Sequence, residues 1–287
     1  MLTSGPRQMF ELPDRDFSSP QPEPSIAIAE KTKKADIFTF PKGVKAGNFW
    51  HEIFEHHDFT CPDPHNLDML VNTKLAEYDF SADWKDVVTG TVGNVLNLPL
   101  DTKGLGFNLS TVSPNDRLNE LEFYFPLKPI TVEKIRAIFA AHDRSGITDG
   151  FPEAIGRLNF SPIRGFMKGY IDLVFTHQNR YYLVDWKSNY LGNKPEDYDQ
   201  NNLHKAMKRS FYFLQYHIYV IALNKYLSIR QPGYDYKKHF GGVYYIFLRG
   251  VDPKSDDGYG VYFDLPSGKL ITELTDNLIT KPDQIQL

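Results

Sequence analysis

Two aspartates and one lysine stand in neighbouring apolar runs of the segment GYIDLVFTHQNRYYLVDWKSN, residues 169–189. Each run has the length of a short strand, and the polar stretch HQNR between them has the composition of a hairpin turn. Side chains alternate between the two faces of a strand, so Asp185 and Lys187 are predicted to share one face, while Trp186 points to the other. Asp172 can join the first two across the hairpin.

This set of residues is suited to a metal-assisted hydrolysis. Two converging carboxylates repel each other unless a divalent cation lies between them. Carboxylate oxygens with no thiolate nearby favour Mg²⁺ or Mn²⁺ over zinc, and a lysine beside the metal can hold a water or neutralise charge on a phosphate. The alternative is an exposed ion pair of Asp185 with Lys187, worth about 0–1 kcal/mol, with Asp172 pairing with Arg180 near the turn.

The same residues resemble the motif of a known family. Asp172, followed by Asp185-Trp186-Lys187, is similar to the pattern of the PD-(D/E)XK nucleases. The segments FPKGVKAGNFWHEIFEHHDF, ELEFYFPL, KGYIDLVFTHQNRYYLVDWKSNYLG and HFGGVYYIFLRGVD also resemble, in that order, parts of the C-terminal nuclease domain of the RecB family, the beta subunits of exodeoxyribonuclease V. An ordered set of segments is far more specific than a three-letter motif.

The resemblance implies a metal site on the hairpin. Asp172 and Asp185 match the family's paired metal ligands, and Lys187 matches its catalytic lysine. The main-chain carbonyl group of Trp186 is expected to be a further ligand. The implied cofactor is Mg²⁺, for which Mn²⁺ is expected to substitute.

Two further site residues are implied, and each has neighbours of the same type. His51 is similar to the family's metal-side histidine, on a helix that also carries His56 and His57; its position after GNFW favours it. Glu120 matches the acidic catalytic residue on the first core strand, at the family's spacing before an aromatic residue. Glu122 lies on the same strand face, so the sequence alone leaves open which carboxylate reaches the metal.

A helix after the hairpin carries the remaining candidates. Gln215 and Tyr219 fit the Gln-x-x-x-Tyr motif of RecB-type nucleases, and their spacing puts both on one face of a helix predicted over 202–227. Lys208 is predicted to fall on that face as well and to contact the DNA backbone. The alternatives are the polar edge of a core helix for the pair and a solvated helix start for the lysine.

Composition narrows the class of protein. With 287 residues, of which 41% are hydrophobic, the chain can bury a sizeable core. A net charge of −4 excludes a general basic coat, so nucleic acid would have to bind a local patch. A single cysteine, Cys61, suits a reducing compartment, and no apolar run approaches the ~18 residues of a membrane span. We therefore expect a cytoplasmic protein without a membrane partner.

The elements that must position these residues follow from the apolar periodicity. Residues 1–36 are rich in proline and poor in aliphatics, and are expected to be a flexible linker. Residues 37–287 are expected to form one nuclease-like domain, with a helical part at 45–100 and a catalytic core at 115–265. Helices are predicted from about residue 46 and at 66–79, 84–98, 131–141 and 202–227, and strands at 119–127, 165–176, 181–187, 242–249 and 258–265.

The predicted fold class is α/β, a PD-(D/E)XK, restriction-endonuclease-like core. A mixed β-sheet would be flanked by helices, and a helical N-terminal part would bring His51 to the sheet edge. The implied function is metal-dependent cleavage of DNA, on single-stranded or linear molecules, in repair and recombination. Implied partners are DNA, RecC- or RecD-like subunits or an upstream helicase domain, and a RecA-like recombinase. A non-catalytic module that docks DNA ends or a recombinase is the alternative, and RNA cleavage stays open.

Overall fold

The computed structural model describes residues 8–11, 35–61, 63–100, 107–142, 150–156, 165–253 and 257–280, the first of these ranges by its backbone only. Its helices are α1 Val44–His56, α2 Pro64–Glu77, α3 Lys85–Leu96, α4 Val132–Ala141, α5 Phe151–Ile155, α6 Gln200–Arg209, α7 Tyr212–Arg230, α8 Tyr236–His239 and α9 Gly268–Leu278. Its strands are β1 Gln8–Glu11, β2 Arg117–Leu127, β3 Gly165–His177, β4 Arg180–Lys187, β5 Phe240–Phe247 and β6 Val261–Asp264.

The strands form one mixed sheet. Strands β1, β3, β4, β5 and β6 are neighbours in that order, and β2 pairs with β3. The β1–β3 and β4–β5 pairs are parallel, whereas the other three pairs are antiparallel. The predicted α/β class, with a mixed sheet flanked by helices, is therefore confirmed.

The central hairpin has the turn that its sequence predicts. Gln178 and Asn179 connect β3 to β4, and both have positive φ, 48° and 61°. Positive φ at both central residues gives a turn whose twist matches that of the flanking strands. The turn fixes the register, in which Leu173 lies opposite Val184.

The sheet lies between two helical layers. On β4, Leu183 packs into one core with side chains of α4, α5, α6, α7 and α9, while Val184 and Trp186 pack into a second core with α1, α2 and α3. This alternation buries both faces of the central strands, as their near-continuous apolar runs predict. The predicted helical N-terminal part is thus the layer formed by α1, α2 and α3.

The prediction of one helix over 202–227 is wrong in one respect, because this segment forms two helices. Helix α6 ends at Arg209 and α7 begins at Tyr212. Phe211 between them has a left-handed backbone with a φ of 56°, while its side chain packs against the core. Neither glycine nor proline marks this break, so tertiary packing determines it. Lys208 therefore does not lie on the face of α7 that carries Gln215.

Part of the segment expected to be a linker is in the sheet. Gln8–Glu11 form β1 and pair with Gly165–Lys168 of β3, so the linker prediction is wrong for these four residues. Residues 1–7 and 12–34 of that segment lie outside the described residues. Among the helices described, none is long and apolar enough to cross a membrane.

Candidate metal centre

The hairpin strands separate at the point where the predicted site residues lie. The last pair of the β3–β4 ladder joins Leu173 to Val184. Beyond it, the backbone N–H of Trp186 donates to Oδ2 of Asp172 at 2.8 Å. The Asp172 side chain is therefore held in the gap between the two strands, where only 6% of the residue is exposed.

Asp185 and Lys187 lie on the same strand face, as alternation predicts. Lys187 Nζ is 2.5 Å from Asp185 Oδ1, and both residues are 2% exposed. The ammonium group also lies 4.3 Å from the ring centre of Tyr212 and 5.3 Å from that of Tyr245. Such a buried ion pair is costly unless further contacts stabilise it, and the two aromatic rings supply cation–π contacts. The exposed ion pair considered above as an alternative is excluded.

A second set of side chains meets at Asp172. His51 Nδ1 on α1 lies 3.3 Å from Asp172 Oδ1. Ligand atoms of His51, Glu120 and Asp172 all lie within 4.8 Å of one another. His51 Nε2 is buried and has no hydrogen-bond partner within the described residues. The carboxylate of Asp185 is not part of this cluster and is held by Lys187 instead.

Glu120 reaches the cluster through an unusual backbone. It has a φ of 48° within β2, between the ladder residues Asn119 and Leu121. A left-handed residue other than glycine costs about 1–3 kcal/mol and persists where the surrounding structure holds it. Here the surroundings are the C-terminal end of α1, because Arg117 donates to the carbonyl of His57 at 2.8 Å and Asn119 to that of Glu55 at 2.5 Å.

The neighbouring residues of the same types lie elsewhere. Glu122 forms an ion pair with Lys168, with 3.0 Å between Nζ and Oε1. His56 is exposed and contacts the main chain of its own helix, and His57 is buried outside the cluster. The structure therefore brings Glu120 and His51, rather than these neighbours, to Asp172.

Burial and charge shift the pKa values of three of these groups. Burial raises the pKa of Asp185 to about 8, with a further contribution from Asp172, although Lys187 acts against it. Burial lowers the pKa of His51, but the Asp172 carboxylate outweighs this and raises it to about 9. The pKa of Asp172 is lowered, because His51, Lys187 and the Trp186 N–H outweigh the effect of its burial.

Gln215 and Tyr219 are buried rather than exposed on a DNA-facing surface. Gln215 Nε2 donates to the Tyr219 hydroxyl at 2.9 Å, and the Tyr245 hydroxyl donates to Gln215 Oε1 at 2.9 Å. The pair thus contacts the site through Tyr245, whose ring borders Lys187. Lys208 is on α6, and its ammonium group lies near Gly150.

Sequence reasoning missed the two tyrosines beside Lys187. Tyr245 stands opposite Asp185 in the parallel β4–β5 register, and Tyr212 is the first residue of α7. The available signal for Tyr245 was the pair of tyrosine hydroxyls in the otherwise apolar run GGVYYIF. It could not be interpreted without the register of β5 against β4.

A mixed sheet between two helical layers, with Asp172 on one strand and Asp185 and Lys187 on the next, is consistent with the PD-(D/E)XK-like fold. No protein-family model matches the chain. The chain is 41% identical over 234 residues to the RecBCD enzyme subunit RecB of Escherichia coli K12, covering 81% of this chain and 19% of that protein. Identity to the RecB subunit of Buchnera aphidicola from Schizaphis graminum is 36% over 259 residues, 90% of this chain and 21% of the relative.

A third relative is the RecB subunit of Haemophilus influenzae, 34% identical over 254 residues, which cover 88% of this chain and 20% of the relative. The chain belongs to the RecB family. It spans about a fifth of the length of these relatives, consistent with a RecB C-terminal domain.

Proposed function

We propose that this chain is the nuclease part of a RecB-family DNA repair enzyme and hydrolyses phosphodiester bonds of DNA with a divalent cation. The observation that carries the proposal is the cluster of buried His51, buried Asp172 and half-buried Glu120 beside the Asp185–Lys187 ion pair. Buried titratable groups that perturb one another in this way are typical of catalytic sites.

The donor set fits a hard divalent cation. One imidazole nitrogen and two carboxylates without a thiolate favour Mg²⁺ or Mn²⁺. His51 Nε2 is a buried imidazole nitrogen without a hydrogen-bond partner among the described residues, and a bound ion would supply that partner. We expect His51, Glu120 and Asp172 to hold the ion, with Asp185 and the Trp186 carbonyl as further ligands. A bound cation lowers the pKa of its water and neutralises charge on the phosphate.

Lys187 is the residue best placed to act on the reacting groups. Its ammonium is fixed by Asp185 and by the rings of Tyr212 and Tyr245, so it enters the reaction without reorganisation. We propose that it orients the attacking water or stabilises negative charge on the phosphate. Gln215 would then act by holding Tyr245, which forms a wall of the site beside Lys187, rather than by contacting DNA.

An exposed aromatic surface supports a single-stranded substrate. Tyr124 on β2 is 54% exposed and stacks on Phe166 of β3, with ring centres 4.6 Å apart and planes within 9°. Phe166 lies six residues before Asp172, about 20 Å along the strand. Bases of a single strand are free to stack on such rings, whereas those of a duplex are not.

The partners of the chain are also proposals. The relatives are named as a subunit of the RecBCD enzyme, so we propose RecC- and RecD-like subunits or an upstream helicase domain as partners, and a RecA-like recombinase as a further one. A cytoplasmic location would agree with these partners. A docking module that does not cut DNA is disfavoured, because it would have no need for a backbone as strained as that of Glu120.

The test compares two neighbouring glutamates. We expect the wild-type chain to cut labelled linear single-stranded DNA with Mg²⁺ and to stop when EDTA is added. Glu120→Gln should lower the rate by about 100-fold or more, because it removes a metal ligand, whereas Glu122→Gln should leave it nearly unchanged. Equal loss in both variants would contradict the assignment, and cleavage of RNA of the same sequence at the same rate would contradict the DNA preference.

A further inference from the structure

A buried arginine connects two segments of the chain at the candidate metal centre. Arg249 follows β5 and is 2% exposed. Its Nε donates to the carbonyl of Ser188 at 2.9 Å. Its Nη1 donates to the carbonyls of Ile37 at 2.5 Å and Phe40 at 3.1 Å, and its Nη2 donates to that of Pro41 at 2.7 Å.

Each of the two segments leads directly to site residues. Ser188 is the residue after Lys187, so its carbonyl marks the end of β4. The other segment precedes α1 and is fixed to it by Phe40, whose ring is fully buried and lies 5.2 Å from that of Trp50. Trp50 is the neighbour of His51. The guanidinium group therefore joins the strand that carries Asp185 and Lys187 to the helix that carries His51.

Only an arginine side chain can make this connection. Its planar guanidinium has five donors in fixed directions, whereas a lysine has one ammonium on a flexible stem. Burying the charge is costly, and a well-packed apolar side chain would usually serve packing as well or better. The position therefore calls for a group that holds main-chain carbonyls from two segments at once.

The far end of α1 is held in a comparable way. Arg117 and Asn119 donate to carbonyls of His57 and Glu55 at the C-terminal end of the helix, next to Glu120. The helix is thus fixed to the sheet at both ends, by β2 at one and by the arginine after β5 at the other.

We propose that Arg249 is a positioning residue, which fixes His51 on α1 relative to Asp185 and Lys187 on β4 and thereby sets the affinity of the site for a divalent cation. The proposal rests on the proposed function, because it assumes that the cluster binds a metal. It assigns to Arg249 no contact with DNA or with the reacting atoms.

The test measures Mn²⁺ binding by isothermal titration calorimetry, together with unfolding in urea. Arg249→Lys keeps the charge but removes the planar set of guanidinium donors. It should weaken Mn²⁺ binding by the folded protein by about 10- to 100-fold. The matched control is Arg180→Lys. Arg180 also donates to a main-chain carbonyl, that of Phe240 at 3.1 Å, but it lies at the opposite end of β4. The control should bind Mn²⁺ as tightly as the wild type.

The outcomes separate this proposal from the proposed function. If wild type and Arg249→Lys bind Mn²⁺ equally, the positioning role is overturned while the metal site stands. If the wild type binds no Mn²⁺, the proposed function fails and this inference with it. Should Arg249→Lys not fold, Phe40→Leu loosens the same connection, and Mn²⁺ binding equal to that of the wild type would overturn the proposal.

Discussion

Asp185 and His51 bind a proton more tightly than these groups do in water. Burial raises the pKa of Asp185 to about 8, and the Asp172 carboxylate raises the pKa of His51 to about 9. A cation binds the carboxylate and the neutral imidazole, so these protons must leave when it binds. If the proposed centre binds a metal, binding and proton release are therefore coupled.

This coupling predicts a pH-dependent metal affinity. Because both pKa values are raised, the competing protons are present at low pH and are lost as the pH rises towards 9. We expect the affinity for Mn²⁺ to increase about five- to tenfold between pH 7 and 8 for each of these protons released. Calorimetry in two buffers with different enthalpies of protonation would count the protons. An affinity independent of pH, with no proton release, would contradict the pKa shifts.

Local sequence was sufficient to predict the hairpin but not the walls of the site. The β3–β4 pairing is set by a two-residue turn, so alternation along the strands places Asp185 and Lys187 correctly. Tyr245 enters through the parallel β4–β5 pair, whose strands are far apart in sequence, and no local pattern fixes that register. Arg249 was missed for the same reason, since it acts on segments more than 60 residues away.

The break between α6 and α7 was missed for a different reason. Phe211 has a strong side-chain preference for the core and no preference for a left-handed backbone. Apolar periodicity therefore predicts that the helix continues through it. Packing of its ring against the core outweighs the backbone cost. The histidine of the candidate metal centre could be predicted only by resemblance, because α1 carries two histidines and a third follows its last residue.

The contact between α7 and β5 leads to a prediction about Gln215. Gln215→Ala would leave the buried hydroxyls of Tyr219 and Tyr245 with one partner fewer, at a cost of about 1–3 kcal/mol in the free energy of unfolding, and should also slow DNA cleavage. The measurements are urea unfolding and cleavage of labelled single-stranded DNA.

Gln200→Ala is the control for that variant. Gln200 also donates two hydrogen bonds, to the carbonyls of Gly258 and Val261, but at an exposed position away from the site. Its loss should leave cleavage unchanged. If Gln215→Ala destabilises the protein and cleavage per folded molecule stays at the wild-type rate, the wall formed by Tyr245 has no role in the reaction.

For the molecule as a whole, β2 and β3 connect an exposed aromatic surface to the candidate metal centre. Tyr124 and Phe166 stand near one end of the strand pair, and Glu120 and Asp172 stand further along the same two strands. A single strand of DNA lying along this pair would reach the candidate metal centre. The net charge of −4 makes such a local surface more important than long-range attraction.

Binding of single-stranded DNA should therefore depend on Tyr124. Loss of one stacked base costs about 1–3 kcal/mol, so Tyr124→Ala should raise the dissociation constant by about 5- to 150-fold. Fluorescence anisotropy with a labelled oligonucleotide, without divalent metal, measures this. Tyr226→Ala is the control, because Tyr226 is an exposed tyrosine near the far end of α7. Equal effects of the two substitutions would exclude a role for the aromatic surface.

The proposed metal centre is tested by cleavage of labelled linear single-stranded DNA by wild type, Asp185→Ala and Lys187→Ala, with Mg²⁺ and then with EDTA. Lys194→Ala, at an exposed position just beyond the site, is the control, and circular dichroism verifies that each variant is folded. We expect metal-dependent cleavage by wild type and Lys194→Ala, and none by the two folded site variants. Binding of DNA by the wild type without cleavage under any divalent metal would contradict this expectation and would favour a docking module.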